Sequence, residues 1–151
     1  MTRGFDELTA LVRPDQVVSG PEQLRTYECD GLTGRRVIPA LVLLPERADE
    51  VARIVRTAAA HGIPFVARGA GSGVSGGALP VAEGIVISLA RMTAVLEVDV
   101  DRGLVVVEAG VTNLDVTRAV RMSAHIGATV PAHAGAASVV IVRSVLSLIH
   151  I

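Results

Sequence analysis

A glycine-rich segment, residues 68–77, constrains the fold of this 151-residue chain more than any other feature of its sequence. Five of these ten residues are glycine, so several backbone N–H groups can converge and adopt positive φ angles without a Cβ clash. Such a nest binds anions, most often a nucleotide phosphate. The alternative interpretation is a flexible surface loop, and the flanking elements decide between the two.

The residues before the glycine-rich segment predict a βαβ unit. The apolar run Leu41–Leu44 has the length of a strand buried on both faces. A helix is predicted from Pro45 to His61, with acidic first turns, an inward face at 3–4 spacing and Gly62 at its stop. Residues 64–67 predict a second, parallel strand with a right-handed connection. The glycine-rich segment therefore lies at the mouth of a parallel strand, where α/β proteins bind ligands.

The rest of the chain up to residue 123 predicts further short elements. They are helices over 5–12 and about 19–27, a loop over 30–36, a strand over 85–89, an antiparallel hairpin of strands 95–99 and 104–108, and a helix from Asn113 to about Ser123. The last helix is expected to place Leu114, Val116, Thr117 and Val120 inward. The predicted fold class is α+β, with the βαβ unit, the glycine-rich loop and the hairpin in that order.

Three kinds of phosphate site place glycines after a strand. A P-loop needs Gly-Lys-Ser/Thr, but all 14 cationic residues here are Arg, which excludes it. A Rossmann site needs G-x-G-x-x-G, which residues 71–76 match, but that motif opens a helix. Pro80 and the strand predicted from Ile85 leave no room for one. The remaining arrangement is a pyrophosphate held by loop amides alone, between a strand and a non-helical return.

This last arrangement resembles the FAD-binding domain of the vanillyl-alcohol oxidase/p-cresol methylhydroxylase (PCMH) family, and most of all the group of the glycolate oxidase FAD subunit and the D-lactate dehydrogenases. The resemblance covers about residues 5–120. The motifs that carry it are Tyr27–Leu32, Leu41–Pro45 with its helix, Pro64–Ala78, and Glu108–Val111 with Asn113-Leu114. It implies that the chain is the N-terminal part of such a domain, truncated within it.

The resemblance implies which residues hold the cofactor. They are Arg68, Gly69, Ala70, Gly71, Ser72, Gly73, Val74, Ser75, Gly76, Gly77 and Ala78. Ser72 and Ser75 either donate to phosphate oxygens or bond within the loop, and Arg68 either neutralises phosphate charge or faces solvent. Relatives that attach flavin through this loop use a His, which is absent between His61 and His125, so the FAD is expected to be non-covalent.

The resemblance also implies an activity. Its members are FAD-linked oxidoreductases, and the similar group oxidises a 2-hydroxy acid such as glycolate or D-lactate by hydride transfer to flavin. The alternatives are another PCMH-type oxidase of alcohols or sugar lactones, or a non-catalytic nucleotide-binding fragment. Because the relatives bind their small-molecule substrate largely in a C-terminal domain, no catalytic residue is assigned and this chain is expected to be inactive alone. An iron–sulfur or other electron-acceptor subunit is the partner implied.

Composition excludes several other classes. A net charge of −1 and 2% aromatic residues argue against a nucleic-acid partner. No apolar run approaches the ~18 residues of a transmembrane helix. A signal peptide is not expected at a start that contains Thr2, Arg3, Asp6 and Glu7, and a single Cys excludes a disulfide framework, so we expect a cytoplasmic protein. The four His are scattered without metal-ligand spacing, and Cys29 is expected to be a small buried residue.

The character of the sequence changes at about Met122. We expect residues 1–121 to be the N-terminal part of the domain and residues 122–151 to be a divergent tail derived from a frameshift and an adapter. Leu146–Ile151 is the translation of CTGTCTCTTATACACATC, a transposon mosaic end used in sequencing libraries. Codons for Thr129–Gly135, read one base later, permit a proline-rich segment like the one with which the family continues. Resequencing the locus downstream of Val120 tests this hypothesis, which an in-frame genomic stop after Ile151 would contradict.

Overall fold

A computed structural model describes residues 2–32, 34–99, 102, 104–125 and 139–142. The chain divides into two compact units, residues 1–91 and 92–151. The first contains a four-stranded mixed sheet and the second a three-stranded one. Helices and strands are therefore mixed in both, and the predicted α+β class is confirmed.

The first unit is built on a sheet of four short strands in the order β1-β2-β4-β3. Its elements are α1 (Thr2–Ala10), a 3₁₀ turn (Pro14–Gln16), β1 (Val17–Val18), α2 (Pro21–Leu24) followed by a 3₁₀ turn (Arg25–Tyr27), β2 (Leu41–Leu43), α3 (Ala48–Ala60), β3 (Phe65–Arg68) and β4 (Ile85–Ser88). Both β2 and β3 pair with β4 in parallel, and β1 pairs with β2 antiparallel. The predicted parallel βαβ unit is confirmed, but β4 lies between its two strands.

Burial in this sheet follows the order of its strands. All residues of β2 and β4 are buried, as their unbroken apolar runs predict for central strands. The strand β3 lies at the edge, and its residues alternate between exposed and half-buried. A hydrophobic cluster of Leu24, Val42 and Val86, with Tyr27 against it, fixes the segment after α2 to the face of the sheet.

The helix α3 confirms its predicted inward face but not its predicted start. Val51, Ile54, Val55 and Ala58 are all buried, at the spacing of one helical face. The helix begins at Ala48, three residues after Pro45, because Arg47 still has extended backbone angles. A carboxylate oxygen of the buried Glu50 accepts hydrogen bonds from the N–H groups of Glu46 and Arg47 at 2.8 and 3.3 Å. The first helix, α1, also starts and ends earlier than the predicted 5–12.

The second unit begins with the predicted antiparallel hairpin. It pairs β5 (Val95–Asp99) with β6 (Leu104–Val107), with an irregularity between Val95 and Glu97. β7 (Val139–Val142) adds to β6 in parallel, a pairing that the sequence did not predict.

The helix α4 (Asn113–His125) packs on this sheet through Val116, which is buried with Val105 and Val107. The prediction was wrong for Leu114, which is 58% exposed, and for Thr117, which is also exposed. The inward face that helical spacing predicted for α4 was therefore too wide, because it included two exposed residues. α4 crosses the predicted boundary at residue 121, and the boundary stays a prediction because residues 126–138 and 143–151 lie outside the described ranges. Within those ranges, no helix combines the length and apolar character needed to cross a membrane.

Candidate cofactor site

The glycine-rich loop leaves the carboxyl end of β3 and returns to β4 without forming a helix anywhere in residues 69–84. Gly71 and Gly76 have φ angles of +69° and +74°, which L side chains rarely adopt. The G-x-G-x-x-G match therefore lacks the helix that a Rossmann site requires, as its sequence context predicts.

Two further glycines of the loop, Gly73 and Gly77, leave open space where a side chain would lie, as Gly34 does outside the loop. Neither has a positive φ, and a Cβ added at either would meet no atom of the described residues within 4 Å. Backbone at these positions is open to a ligand, and a side chain there would occupy the space such a ligand needs. A cofactor phosphate that approaches the backbone closely fits this pattern.

A second segment, Tyr27–Leu32, forms a wall against the loop. The N–H of Gly31 donates a 2.8 Å hydrogen bond to the carbonyl oxygen of Gly73. A Cβ on Gly31 would lie 2.8 Å from the carbonyl oxygens of both Ser72 and Gly73, so only glycine permits this approach. Sequence reasoning did not assign Gly31 to the site. The available signal was its position in the motif that carries the family resemblance.

Arg68, the last residue of β3, connects the same two segments. Its Nη1 donates to the carbonyl oxygen of Cys29 at 2.6 Å and approaches that of Tyr27 at 3.4 Å, and its guanidinium carbon lies 5.5 Å from the Tyr27 ring centroid. The guanidinium also lies directly against Gly71, where a Cβ would overlap it. Arg68 therefore faces the Tyr27–Leu32 segment rather than solvent, with its positive charge held beside the loop. Cys29 is half-buried, not buried as expected.

The loop's remaining predicted residues occupy its surface. Ser72, Val74 and Ser75 are exposed, and neither serine hydroxyl bonds to another described residue, so both are available to a ligand. Gly69 and Ala78 are half-buried and Ala70 is exposed. All eleven predicted cofactor residues lie in this continuous stretch, in which Ser72, Gly73, Val74 and Ser75 form the most exposed part.

Asp30, the neighbour of Gly31, has one buried side-chain oxygen without a hydrogen-bond partner among the described residues. Its residue is only 5% exposed, and its Oδ1 accepts a 2.9 Å hydrogen bond from the N–H of Leu32. Its Oδ2 is the single buried side-chain polar atom without a hydrogen-bond partner among the described residues. Asp30 immediately precedes Gly31, which contacts the glycine-rich loop.

A cavity of about 450 Å³ lies at the other end of β3, away from the loop. Its lining residues are Arg3, Gly4, Phe5, His61, Gly62, Ile63, Pro64, Ala82 and Glu83. The hydrogen bond between His61 and Glu7, 2.7 Å long, lowers the pKa of the Glu7 carboxyl. The cavity is at the amino ends of the parallel strands, whereas α/β ligands bind at the carboxyl ends. We therefore place the candidate site at the glycine-rich loop.

Across the described ranges, no three His, Cys, Asp or Glu side chains gather as metal ligands.

Comparison with known proteins gives matches that share this architecture. The family model for an FAD binding domain matches residues 39–142. The glycolate oxidase subunit GlcD of Escherichia coli K12 is 37% identical over 105 residues, which are 70% of this chain and 21% of that protein. The D-lactate dehydrogenase of Archaeoglobus fulgidus is 38% identical over 109 residues, 72% of this chain and 24% of that protein. This chain therefore spans less than a quarter of the length of either relative.

Solved structures give the same fold. Substrate-bound p-cresol methylhydroxylase superposes with a TM-score of 0.70 at 22% identity, over 81% of this chain and 24% of that one. At this identity the likeness concerns the fold alone. It places the sheet, the loop and the return strand of this chain within a known domain architecture.

Proposed function

The chain belongs to the family of FAD-binding domains, and on this premise we propose that it is the FAD-binding part of an oxidoreductase that oxidises a 2-hydroxy acid such as glycolate or D-lactate. The observation that carries the proposal is the pair of open glycines, Gly73 and Gly77, in a non-helical loop. The 2-hydroxy acid class rests on relatives with 37% and 38% identity, a glycolate oxidase subunit and a D-lactate dehydrogenase.

We propose that the FAD pyrophosphate binds to the loop from Arg68 to Ala78. Backbone N–H groups around Gly73 approach the phosphates, and the free hydroxyls of Ser72 and Ser75 donate to phosphate oxygens. The guanidinium of Arg68 adds positive charge next to the loop while its Nη1 holds the Cys29 carbonyl. Its contribution to the phosphates is therefore electrostatic rather than a bidentate contact made through Nη1.

When bound, FAD would supply the redox chemistry of the proposed oxidation. The role of this chain is to bind and orient the cofactor, and no residue in it is proposed as a catalytic acid or base. We propose that FAD is held non-covalently, because the loop offers hydroxyl and amide donors but no His for a flavin bond. The substrate, an electron-acceptor partner subunit and a cytoplasmic location belong to the proposal for the whole enzyme.

An FAD titration of the purified chain tests the proposal. We expect saturable binding, followed at equilibrium by quenching of flavin fluorescence and by a change in the flavin absorbance band near ~450 nm. Binding is expected to be weak, because this chain supplies only part of the domain. ADP should compete, because it carries the pyrophosphate and adenosine part of FAD, whereas riboflavin without phosphate should not. Absence of saturable FAD binding would contradict the proposal.

A further inference from the structure

Leu32 is an exposed apolar side chain that is held against the glycine-rich loop. It is 42% exposed, and its Cδ2 lies 3.7 Å from the position that a Cβ on Gly76 would take, an ordinary van der Waals distance. Its own N–H donates a 2.9 Å hydrogen bond to Oδ1 of Asp30. The N–H of the preceding Gly31 donates to the carbonyl oxygen of Gly73. The side chain therefore meets the solvent from a fixed position beside the loop.

The place of Leu32, rather than its exposure, is what needs an explanation. Single exposed apolar side chains are common on protein surfaces. Here the contact is with Gly76, the neighbour of the open glycine Gly77, and Val74, the neighbour of the open glycine Gly73, is itself 71% exposed. The open backbone of the loop is therefore bordered by two apolar side chains that keep accessible surface.

The chemistry of FAD narrows what this apolar surface can contact. Phosphates are bound by N–H and O–H donors, and leucine has no side-chain donor. Ligand sites combine a few polar groups with apolar walls, and the apolar faces of FAD belong to its adenine and isoalloxazine rings. Each ring is joined to the pyrophosphate through one sugar-type chain. Gly73 and Gly76 are three residues apart, hence separated by at most about 11 Å, so a ring attached to a pyrophosphate at Gly73 can reach Leu32.

We propose that the side chain of Leu32 packs against the face of one ring of FAD. This inference rests on the proposed function and adds a cofactor-binding residue outside the glycine-rich loop. Packing removes the exposed part of Leu32 and part of the ring from water, which stabilises the complex in proportion to the apolar area buried. Asp30 is then a positioning residue, because its Oδ1 fixes the turn that presents Leu32.

The variant Leu32→Ala tests the proposal, with Ile38→Ala as the matched control. Ile38 is 48% exposed and lies outside both the glycine-rich loop and the Tyr27–Leu32 segment. We expect the Kd for FAD to rise about three- to tenfold in Leu32→Ala, because less than half of the leucine side chain remains to be buried by the cofactor. The Kd should stay unchanged in Ile38→Ala. Equal Kd values for the parent and Leu32→Ala would overturn the inference.

Inorganic pyrophosphate, ADP and FMN, each titrated as a competitor of FAD, separate a ring contact from an effect on the loop. Pyrophosphate has no ring, so its affinity should be the same in the parent and in Leu32→Ala. ADP carries the adenine ring and FMN the isoalloxazine ring, and the one whose affinity falls in the variant identifies the ring that Leu32 contacts. If pyrophosphate loses as much affinity as FAD, Leu32 acts only through the loop and the inference is overturned. A parent chain that binds no FAD at all would instead overturn the proposed function.

Discussion

The backbone N–H of Gly31 donates a 2.8 Å hydrogen bond to the carbonyl oxygen of Gly73, and the two glycines are required for opposite reasons. At Gly31 a Cβ would collide with two carbonyl oxygens of the loop. At Gly73 a Cβ would meet no atom within 4 Å in the part of the chain that the structure describes. The first glycine permits contact inside the protein, and the second leaves space for something outside it.

Gly31→Ala should destabilise the protein. The added methyl group must displace the backbone carbonyls of Ser72 and Gly73, which cannot rotate away as a flexible side chain would. Overpacking of this kind costs about 1–3 kcal/mol in the free energy of unfolding, measured by urea denaturation. Gly73→Ala is the matched substitution and should change that free energy by less than about 0.5 kcal/mol, typical of an open surface position. Equal effects of the two variants would contradict the distinction between them.

The variants Arg68→Lys and Arg68→Gln test whether Arg68 acts by holding the Tyr27–Leu32 segment or by its positive charge alone. Neither side chain reproduces the guanidinium that bonds Cys29, approaches the Tyr27 carbonyl and stacks near the Tyr27 ring. We expect both variants to lose about 1–3 kcal/mol of stability, because the loss leaves a carbonyl without its charged donor. If charge alone mattered, lysine would retain both the stability and the FAD affinity of the parent. The measurements are urea unfolding and FAD titration at two salt concentrations.

A surface ion-pair cluster predicts how stability depends on pH. Arg91 lies 2.8 Å from Asp15 and 3.0 Å from Glu46, and Arg13 bonds the same two carboxylates. Hydrogen bonds from Arg91 and Arg13 lower the pKa of Asp15 to about 2, and the same two arginines lower that of Glu46. A carboxyl whose pKa is lower in the folded state stabilises above its unfolded pKa and loses that effect as pH falls. Melting temperature should therefore fall from about pH 4 towards pH 2.

Arg91→Gln is the variant that isolates this cluster. It removes a partner of both carboxylates, so the decline in melting temperature below pH 4 should be shallower than in the parent. The cluster is solvent-exposed, and 1 M salt should reduce the difference between the two proteins. An unchanged pH profile in the variant would mean that the cluster does not contribute to stability.

Local periodicity was sufficient to predict much of the fold. The buried face of α3 follows from helical spacing, because Val51, Ile54, Val55 and Ala58 lie on one side of a regular helix. The absence of a helix after the glycine-rich loop follows from Pro80 and the early start of the next strand. Both are properties of neighbouring residues. Leu114 shows the limit, since helical spacing alone does not determine how wide the buried face is.

Contacts between distant residues were not predictable from the sequence pattern. Insertion of β4 between β2 and β3 depends on which strands pair with each other, and no pattern within a single strand specifies its partner. The bond from Gly31 to Gly73 and the one from Arg68 to Cys29 each join residues far apart in the chain. The glycine-rich loop and the Tyr27–Leu32 motif were both identifiable in the sequence, whereas the contacts between them needed the three-dimensional structure. The assignment of the loop's residues to FAD stays a prediction.

The most direct test of the central claim is the FAD affinity of Gly73→Val, compared with that of Gly34→Val. Both glycines have open space for a side chain and ordinary φ angles, but only Gly73 lies in the glycine-rich loop. If the loop backbone holds the pyrophosphate, Gly73→Val folds with the stability of the parent yet no longer binds FAD in titrations, while Gly34→Val binds it as the parent does. Equal FAD affinity in Gly73→Val and the parent would contradict the claim that this loop is the cofactor site.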